Sequence, residues 1–235
     1  MCTSFVFRGN DVIIGMNFDN NGMNFGINDK ETDKFYITVE FEGRKAPSFG
    51  VNRNGTFVSQ LMVDSNGLGE YKRASKKVTH TTKLVTDLLY EKIQFETLEA
   101  YLAQKEIVNV PGLSIHNMLV NKLGEVWVTE PGRGNLHQLS HEAPFFVMSN
   151  FSLCDAIKTN CIQGIGSDRY EKATQQLMQG NKNLSVNNAF KVLNEVKQTQ
   201  GDWITDFSMV YSANENAVYY CYNHDFKHIK VYQFK

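Results

Sequence analysis

The sequence of 235 residues contains no long apolar run and no concentration of charge of one sign. A membrane-spanning helix needs about 20 consecutive apolar residues, and no stretch approaches that length. Acidic and basic residues nearly cancel, giving a formal net charge of -1. We therefore expect no membrane association and no nucleic-acid partner, and the charge balance favours a small neutral ligand.

Cysteine is scarce, and the N-terminus lacks the features of an export signal. The four cysteines are Cys2, Cys154, Cys161 and Cys221, with no CxxC spacing, which argues against a disulfide scaffold or a thiol-based metal site. The opening residues have neither a basic start nor the apolar core of a signal peptide. We predict a cytoplasmic protein whose thiols stay reduced.

The sequence has no internal repeat, linker or low-complexity segment. Its hydrophobic fraction of 42% supports one sizeable core, whereas two independent domains would each be small. We predict a single domain spanning residues 1–235.

Hydrophobic patterning predicts strands and helices in alternating groups. The chain begins with a predicted hairpin and two further strands. A pair of helical stripes, four strands, a second helix pair and three strands then follow in order. Several strands are apolar on consecutive residues, as in sheets that are buried on both faces. The predicted strands are 3–7, 12–18, 34–41, 55–63, 115–120, 125–130, 136–139, 145–148, 207–212, 218–222 and 229–234. The predicted helical segments are 84–93, 98–102, 168–179 and one starting from Ser185.

This order predicts an α+β fold in which two stacked, mainly antiparallel sheets lie between helices. Each sheet would bury one face against the other sheet and one face against helices. The expected architecture is a four-layer α-β-β-α sandwich.

The second residue combines two reactive groups if Met1 is removed. Cysteine is small enough for methionine aminopeptidase to act before it, which would leave an α-amine and a thiol on Cys2. Their ordinary pKa values are about 7.7–8.0 and about 8.5, so a proton can pass from sulfur to nitrogen at little cost. An N-terminal amine that activates its own side chain is a known form of nucleophile activation.

The predicted hairpin brings a carboxylate towards this residue. A two-residue turn at Gly9 and Asn10, which both tolerate positive φ, pairs Arg8 with Asp11 and, counting outward, Cys2 with Asn17. Asp19 would then lie diagonal to Cys2 on the same face, at about 7–8 Å between backbones. The carboxylate would hold the terminal ammonium or the thiol in position.

These residues resemble the start of a known hydrolase family. Met1-Cys2-Thr3 followed by Gly15-Met16-Asn17-Phe18-Asp19 is similar to the cysteine N-terminal nucleophile (Ntn) hydrolases, in particular the choloylglycine hydrolase, penicillin V acylase, acid ceramidase and penicillin acyltransferase group. Val147–Asn150 resembles the family's strand that ends in an oxyanion-binding asparagine, and Asp168-Arg169 resembles its later arginine motif. The motifs are short, and their order along the chain makes the resemblance specific.

The resemblance implies the same four-layer fold and a set of catalytic roles. Cys2 would be nucleophile and base, Asp19 would position the amine, Asn150 would donate to the oxyanion and Arg169 would steady the site. It also implies hydrolysis of a carbon–nitrogen bond in a linear amide other than a peptide bond, through an acyl-thioester.

Two departures from the family pattern concern the substrate. Many members have arginine before the Asn-x-Asp motif, where this chain has Met16 before Asn17. Bile-salt hydrolases carry a pocket asparagine where this chain has Met62. We predict that Met16, Asn17 and Met62 contact the substrate and that the less polar site favours an apolar acyl group over a carboxylated substrate.

No cofactor or metal is predicted. His137 and His141, like His224 and His228, are spaced by four residues, but their surroundings are predicted to be strand and turn, and no HExxH motif occurs. The Gly164–Gly166 segment lacks the third glycine of a dinucleotide-binding loop.

Three alternatives remain open at the level of sequence. The enzyme could act chiefly as an acyltransferase, if an amine intercepts the acyl-thioester before water does. The fold could instead serve a non-catalytic binding protein that retains Met1, because the nitrogen of Cys2 would then be an amide. The oligomeric state is open as well, with a homo-oligomer as one alternative.

Overall fold

The computed structural model describes residues 1–180 and 183–235, and in them two large antiparallel sheets form. Strands are numbered along the chain. The first sheet contains β1 (Cys2–Arg8), β2 (Val12–Asn20), β12 (Phe145–Met148), β13 (Ile204–Ser212), β14 (Ala217–Tyr222) and β15 (Lys230–Gln233). Their spatial order is β12-β1-β2-β13-β14-β15, so β1 and β2 lie near the middle of the sheet.

The second sheet has seven strands in the order β11-β10-β9-β6-β5-β4-β3. They are β3 (Phe25–Asn28), β4 (Lys34–Phe41), β5 (Arg44–Asn52), β6 (Phe57–Met62), β9 (Ile115–Val120), β10 (Val126–Glu130) and β11 (Gly134–Gln138). A short parallel pair, β7 (Val78–His80) and β8 (Glu106–Val108), lies beside them as a separate sheet.

The helices are α1 (Thr81–Leu89), α2 (Leu98–Gln104), α3 (Leu153–Thr159), α4 (Ser167–Gln179) and α5 (Val186–Glu195). All except α3 cover the outer faces of the sheets, whereas Leu153 of α3 belongs to the cluster between them. The α5 helix begins at the predicted Ser185, whose side chain accepts a hydrogen bond from the Asn188 N–H, the usual way to satisfy a helix N-terminus. None of the helices in the described residues is both long and apolar enough to span a membrane.

Three apolar clusters separate the layers and confirm the predicted sandwich. The largest, with Met16, Phe49 and Phe207, lies between the two sheets. A second packs α4 and α5 on the first sheet, and a third packs α1 and α2 on the second. The order of layers is therefore helix, sheet, sheet, helix.

The patterning located most elements and missed four strands and one helix. The predictions for Lys34–Phe41, Ile115–Val120 and Phe145–Met148 match the observed strands in both bounds. Among the missed elements, β5 carries Pro47 and Gly50, residues that weaken a strand prediction. The α3 helix has seven residues, too few for a clear helical period.

The first hairpin differs from its prediction by one residue. Its loop contains three residues rather than two, so Arg8 pairs with Val12 and Cys2 pairs with Phe18. The Gly9 N–H donates to the Asp11 carbonyl (3.0 Å). Neither Gly9 nor the residue after it takes a positive φ, so the predicted two-residue turn and its pairing are wrong.

Candidate active site

The amino terminus extends the central strand pair by one residue. The amine of Met1 donates to the carbonyl oxygen of Asp19 (3.1 Å), and the Asp19 N–H donates to the Met1 carbonyl (2.9 Å). The N–H of Cys2 donates to Oδ1 of Asn150 (2.8 Å). While Met1 is attached, this nitrogen is an amide that cannot accept a proton.

Cys2 borders a cavity but is almost fully buried, with 5% of the residue exposed. Burial raises the pKa of the Cys2 thiol, and the charge of Asp19 raises it further. The nearby amino group, the Asp19 N–H and Arg169 lower the pKa, and the net shift is upward. The thiol is therefore protonated at neutral pH and needs a base beside it to become a nucleophile.

The one-residue shift in the hairpin changes how Asp19 reaches this residue. Directly paired residues of antiparallel strands share a face, so Phe18 lies on the face of Cys2 and Asp19 on the opposite face, towards α4 and α5. The expected position of Asp19 on the same face as the Cys2 side chain is wrong. Asp19 is instead aligned with the amino end of the strand, through its backbone bonds with Met1.

Arg169 connects the residues of this cluster. Nη1 donates to the carbonyl of Cys2 (2.7 Å) and to Oγ1 of Thr3 (2.8 Å), and Nη2 donates to Oδ1 of Asn150 (2.7 Å). Nη1 also lies 3.4 Å from Oδ2 of Asp19. With 4% of its surface exposed, this guanidinium places a fixed positive charge next to the amino terminus.

Gly166 allows Arg169 to take this position. It precedes α4 with φ 82°, a conformation that residues with a Cβ rarely adopt. A Cβ atom there would lie 2.2 Å from Oγ of Ser149 and 2.6 Å from Nη2 of Arg169. Any larger residue would push the guanidinium away from Asn150.

Asn150 is aligned with Cys2 because β12 pairs with β1. Ser4 is paired with Met148. Cys2 and Asn150 lie two residues beyond this pair, at the same end of the two antiparallel strands. The Oδ1 atom accepts from Cys2 and Arg169, which fixes the orientation of the amide. Nδ2 donates one of its two hydrogens to the Met62 carbonyl (2.7 Å).

A cavity of about 240 Å³ opens beside Cys2, where strands of the two sheets end. Most of its lining is apolar, and Asp19, Glu42 and Arg44 are the charged residues among those that line it. The apolar residues along it are Met1, Phe18, Met23, Val39, Phe41, Ala46, Pro47, Leu61, Met62, Val110, Pro111, Leu113, Ile115 and Trp203. A ligand that enters the cavity is therefore surrounded mainly by hydrocarbon.

Of the three residues predicted to bind substrate, one lines this cavity. Met62 forms part of the wall and is 38% exposed. Met16 is fully buried between the sheets. Asn17 lies on the opposite face, where its Nδ2 donates to Leu193 and its Oδ1 accepts from Ser208. Met16 and Asn17 do not border the cavity, because these positions of β2 lie in the interior of the sheet.

Three residues near the site were not predicted from the sequence. Gln198 and Thr205 donate hydrogen bonds to the Asp19 carboxylate, and Trp203 lines the cavity. The first of the three closing strands was predicted to start at Phe207, but β13 starts at Ile204. Extending that strand by three residues would have brought Thr205 next to the end of β2.

Among the described residues, no three His, Cys, Asp or Glu side chains come together to hold a metal ion. The absence of a cofactor stays a prediction.

No protein-family model matches the chain, and no curated protein matches it by sequence. Solved structures do match. A mutant of conjugated bile acid hydrolase from Clostridium perfringens has a TM-score of 0.72 and 13% identity, covering 100% of this chain and 97% of its own. Penicillin V acylase from Agrobacterium tumefaciens has a TM-score of 0.70 and 15% identity, covering 94% and 83%. An N-acylethanolamine-hydrolyzing acid amidase ortholog from Caenorhabditis elegans has a TM-score of 0.60 and 17% identity, covering 90% of this chain and 93% of its own.

The chain has the Ntn hydrolase fold. The match extends over nearly the full length of both chains, so the resemblance seen in the short N-terminal motifs is confirmed at the level of fold. Fold alone does not determine activity, and the function of this Ntn-type chain has to be argued from its own site.

Proposed function

We propose that this protein hydrolyses linear amides other than peptide bonds, with Cys2 as nucleophile once Met1 has been removed. The observation that carries the proposal is the convergence of Asn150 and Arg169 on the backbone of Cys2, a residue that borders an apolar cavity. The Asp19 carboxylate lies 3.4 Å from the same guanidinium. The structural neighbours are amide-hydrolysing enzymes by name, which supports the same general reaction.

The α-amine of Cys2 would act as the base for its own thiol. Burial lowers the pKa of the present terminal amine, which favours the neutral form that can accept a proton. Asp19 opposes this shift by stabilising the ammonium. The Cys2 amine of the processed chain would lie one residue further along the same strand, beside Asn150, and we infer that it would take and return a proton near neutral pH.

The reaction would proceed through an acyl-thioester. The thiolate attacks the amide carbonyl, the α-ammonium returns the proton to the leaving amine, and water activated by the α-amine then hydrolyses the thioester. The second hydrogen on Nδ2 of Asn150 would donate to the oxyanion, together with a backbone N–H. Such a donor contributes about 2.7–4 kcal/mol to transition-state stabilisation.

Arg169 would hold the oxyanion donor in its working orientation. Its bond to Oδ1 of Asn150 (2.7 Å) keeps Nδ2 directed to the other side of the amide. Its bond to the Cys2 carbonyl fixes the backbone of the nucleophile. Neither contact requires Arg169 to touch the substrate.

The substrate would be a small molecule with an apolar acyl group. The cavity beside Cys2 is lined mainly by hydrocarbon, and Met62 forms part of its wall. A volume of about 240 Å³ suits a short acyl chain or a compact ring. We further infer a single-domain, cytoplasmic enzyme that needs no cofactor.

Met1 decides between catalysis and binding alone. It borders the cavity and is held in the strand ladder by Asp19, so the unprocessed chain would be inactive as an amidase. This fit of Met1 also favours the second candidate, a non-catalytic binding protein in which the methionine stays in place.

The decisive experiment compares protein with and without Met1, verified by intact mass. Each form is tested on N-acylated amines and amino acids, penicillins and bile conjugates. We expect hydrolysis by the form that begins with Cys2 and none by the form that retains Met1. Adding free amines tests whether the acyl group is diverted from water. Retention of Met1 in protein from its native cell, or no hydrolysis by the processed form, would sink the amidase proposal.

A further inference from the structure

Both oxygens of the Asp19 carboxylate are held by residues outside the first hairpin. Thr205 Oγ1 donates to Oδ1 (2.6 Å), and Gln198 Nε2 donates to Oδ2 (2.5 Å). Arg169 is farther away, at 3.4 Å from Oδ2. The two neutral donors therefore determine the orientation of this carboxylate more directly than the guanidinium does.

A β-bulge in β13 brings Thr205 opposite Asp19. Phe207 is paired with Phe18, and regular pairing would continue with Asp206 opposite Asp19. The register shifts between Thr205 and Phe207, so Thr205 takes that place. The extra residue thus substitutes a hydroxyl donor for a second carboxylate, which would repel the first. Bulges next to active sites commonly redirect a side chain in this way.

The same two residues close the loop that carries Trp203. The Thr205 N–H donates to the Gln198 carbonyl (2.9 Å), and the Gln198 N–H donates to Oγ1 of Thr205 (2.8 Å). The segment between them turns at Gly201, with φ 88°, and returns to place Trp203 on the cavity wall. The closure of this loop and the anchoring of Asp19 therefore share one hydroxyl group.

We propose that Gln198 and Thr205 are positioning residues that hold Asp19 against the amino end of Cys2 and, through the same contacts, fix Trp203 in the wall of the substrate cavity. The proposal deepens the amidase function proposed above and rests on it. A substrate that displaces Trp203 would disturb the Asp19 anchor, and loss of the anchor would loosen the wall.

The charged and titratable groups facing Asp19 are few. They are Arg169 from α4, the terminal amine and the Cys2 thiol. His224 contacts the Thr205 carbonyl rather than the carboxylate (3.2 Å). Burial raises the pKa of Asp19, and the hydrogen bond from Thr205, the charges of Arg169 and the amine, and the hydrogen bond from Gln198 oppose the rise. Removing either hydrogen bond should therefore raise the pKa of Asp19 further.

The first test follows the alkylation of Cys2 by iodoacetamide as a function of pH, in protein that begins with Cys2. The exposed Cys161 is replaced by serine, so that it does not compete for the reagent. The step that disappears in Asp19→Asn is assigned to Asp19. We expect Thr205→Val to move this step up by about one pH unit, the usual effect of one hydrogen bond to a charged group.

Two further variants and a matched control accompany Thr205→Val. Thr205→Ser keeps the hydroxyl and should restore the wild-type step. Gln198→Leu removes only the side-chain donor, leaves the backbone bonds of the loop and should also move the step upward. Ser212→Ala is the control, because Ser212 lies on the same strand and donates to another carboxylate, Asp11. It should leave the step unchanged.

The second test follows the position of Trp203 in the cavity wall by its fluorescence and needs no chemical reaction. Trp127→Phe leaves Trp203 as the single tryptophan of the chain, so its fluorescence reports the loop. In that background, Thr205→Val and Gln198→Leu should shift the emission of Trp203 to longer wavelength, and Ser212→Ala should not. Asp19→Asn should also shift the emission if the carboxylate anchors the loop.

The outcomes separate the two proposals. An Asp19 step and a Trp203 emission that stay the same in Thr205→Val and in Ser212→Ala would overturn the positioning role, even in an active enzyme. Equal pH profiles for Asp19→Asn and wild type would overturn it as well. If both readouts respond as expected but the processed protein hydrolyses no amide, the amidase function fails and the link between Asp19 and the cavity wall remains.

Discussion

Two of the buried carboxylates in the described residues, Asp19 and Glu130, each lie beside a buried cysteine. Asp19 is close to Cys2 at the candidate site, and Glu130 is close to Cys154 at the start of α3. Both carboxylates are at most 1% exposed. Their hydrogen-bond partners differ in number and kind, and so do the directions of their pKa shifts.

Glu130 is fully compensated for its burial. Oε1 accepts from His116 Nδ1 (3.0 Å) and the Leu153 N–H (2.8 Å), and Oε2 accepts from the Ser152 hydroxyl (2.6 Å) and the Cys154 N–H (3.0 Å). Burial alone would raise the pKa of Glu130, but these partners lower it to about 2. The ionised carboxylate thus anchors α3 to the second sheet.

Asp19 is less well compensated. It accepts one hydrogen bond on each oxygen and has one guanidinium nitrogen at 3.4 Å. Burial outweighs these contacts, so the pKa of Asp19 is raised. A buried carboxylate that is costly to ionise is typical of functional sites, whereas a satisfied one such as Glu130 is typical of structural anchors.

The cysteines give the largest expected contrast. Cys2→Ala and Cys2→Ser should each reduce amide hydrolysis on the order of 10⁶-fold, because a covalent nucleophile is lost. Cys154→Ser should keep hydrolysis within a few-fold of wild type. Burial and Glu130 raise the pKa of the Cys154 thiol to about 12, so this thiol is inert at neutral pH. Steady-state hydrolysis of any substrate found for the processed protein provides the measurement.

A loss of activity in Cys154→Ser comparable to that in Cys2→Ser would contradict this assignment. Circular dichroism spectra of all three variants should match that of wild type, which separates a chemical effect from misfolding.

The carboxylates themselves give the next contrast. Asp19→Asn should reduce hydrolysis by about 10²-fold or more, the scale of acid–base and charge contributions at active sites, since the amide cannot hold an ammonium. Glu130→Gln, assayed at a temperature where it remains folded, should keep most of the activity. Rates of hydrolysis measured with saturating substrate test this pair. Equal losses in both variants would mean that Asp19 acts only through the fold.

Stability should respond in the opposite order. Glu130→Gln should lower the free energy of unfolding at pH 7 by about 3 kcal/mol, which corresponds to the drop of its pKa from 4.5 to about 2. The glutamine amide would also present donors to groups that are themselves donors. Urea unfolding at pH 7 measures the loss.

The sign of the pH dependence follows from the lowered pKa of Glu130. The stabilisation is present above the ordinary value of 4.5 and is lost as pH falls towards about 2. The gap between wild type and Glu130→Gln should therefore shrink in that window. Glu125→Gln is the control, because Glu125 also pairs with a histidine, His137, but at the surface. It should cost less than about 1 kcal/mol.

The layers could be predicted from the sequence for a physical reason, and the candidate site residues from the family resemblance. Buried sheets and amphipathic helices leave their period in the apolar residues, and the four-layer order followed from that period. Cys2, Asp19, Asn150 and Arg169 were predicted from motif order, and the structure brings all four together. Their catalytic roles stay predictions.

The pairing register of the strands and the loops around the site could not be predicted from the sequence. The hairpin after Arg8 has a three-residue loop, and nothing in its composition excludes the two-residue loop that would shift every pairing. The bulge that brings Thr205 opposite Asp19 depends on tertiary packing of β13 against β2. Met16 and Asn17 were assigned to the substrate from motif position, but only Met62 borders the cavity.

The smallest expected effect, on the stability of Asp19→Asn, bears most directly on the comparison of Asp19 with Glu130. The pKa of Asp19 is raised above its ordinary value of 3.8 by burial, so ionising it in the folded state costs stability. That cost is absent at low pH and develops as pH rises through 3.8 and then through the folded pKa. Asp19→Asn removes the charge and should be more stable than wild type at pH 7, by up to about 1 kcal/mol, the usual scale of stabilising substitutions.

Urea unfolding of Asp19→Asn and wild type at pH 4 and pH 7 measures this difference. The variant should gain stability relative to wild type between these pH values, whereas Glu130→Gln loses it over the acidic window where Glu130 ionises. Opposite signs for two buried carboxylates would mean that the protein retains Asp19 at a cost in stability, as expected of a group that serves the chemistry of Cys2. A loss of stability at pH 7 in both variants would instead make Asp19 a second structural anchor.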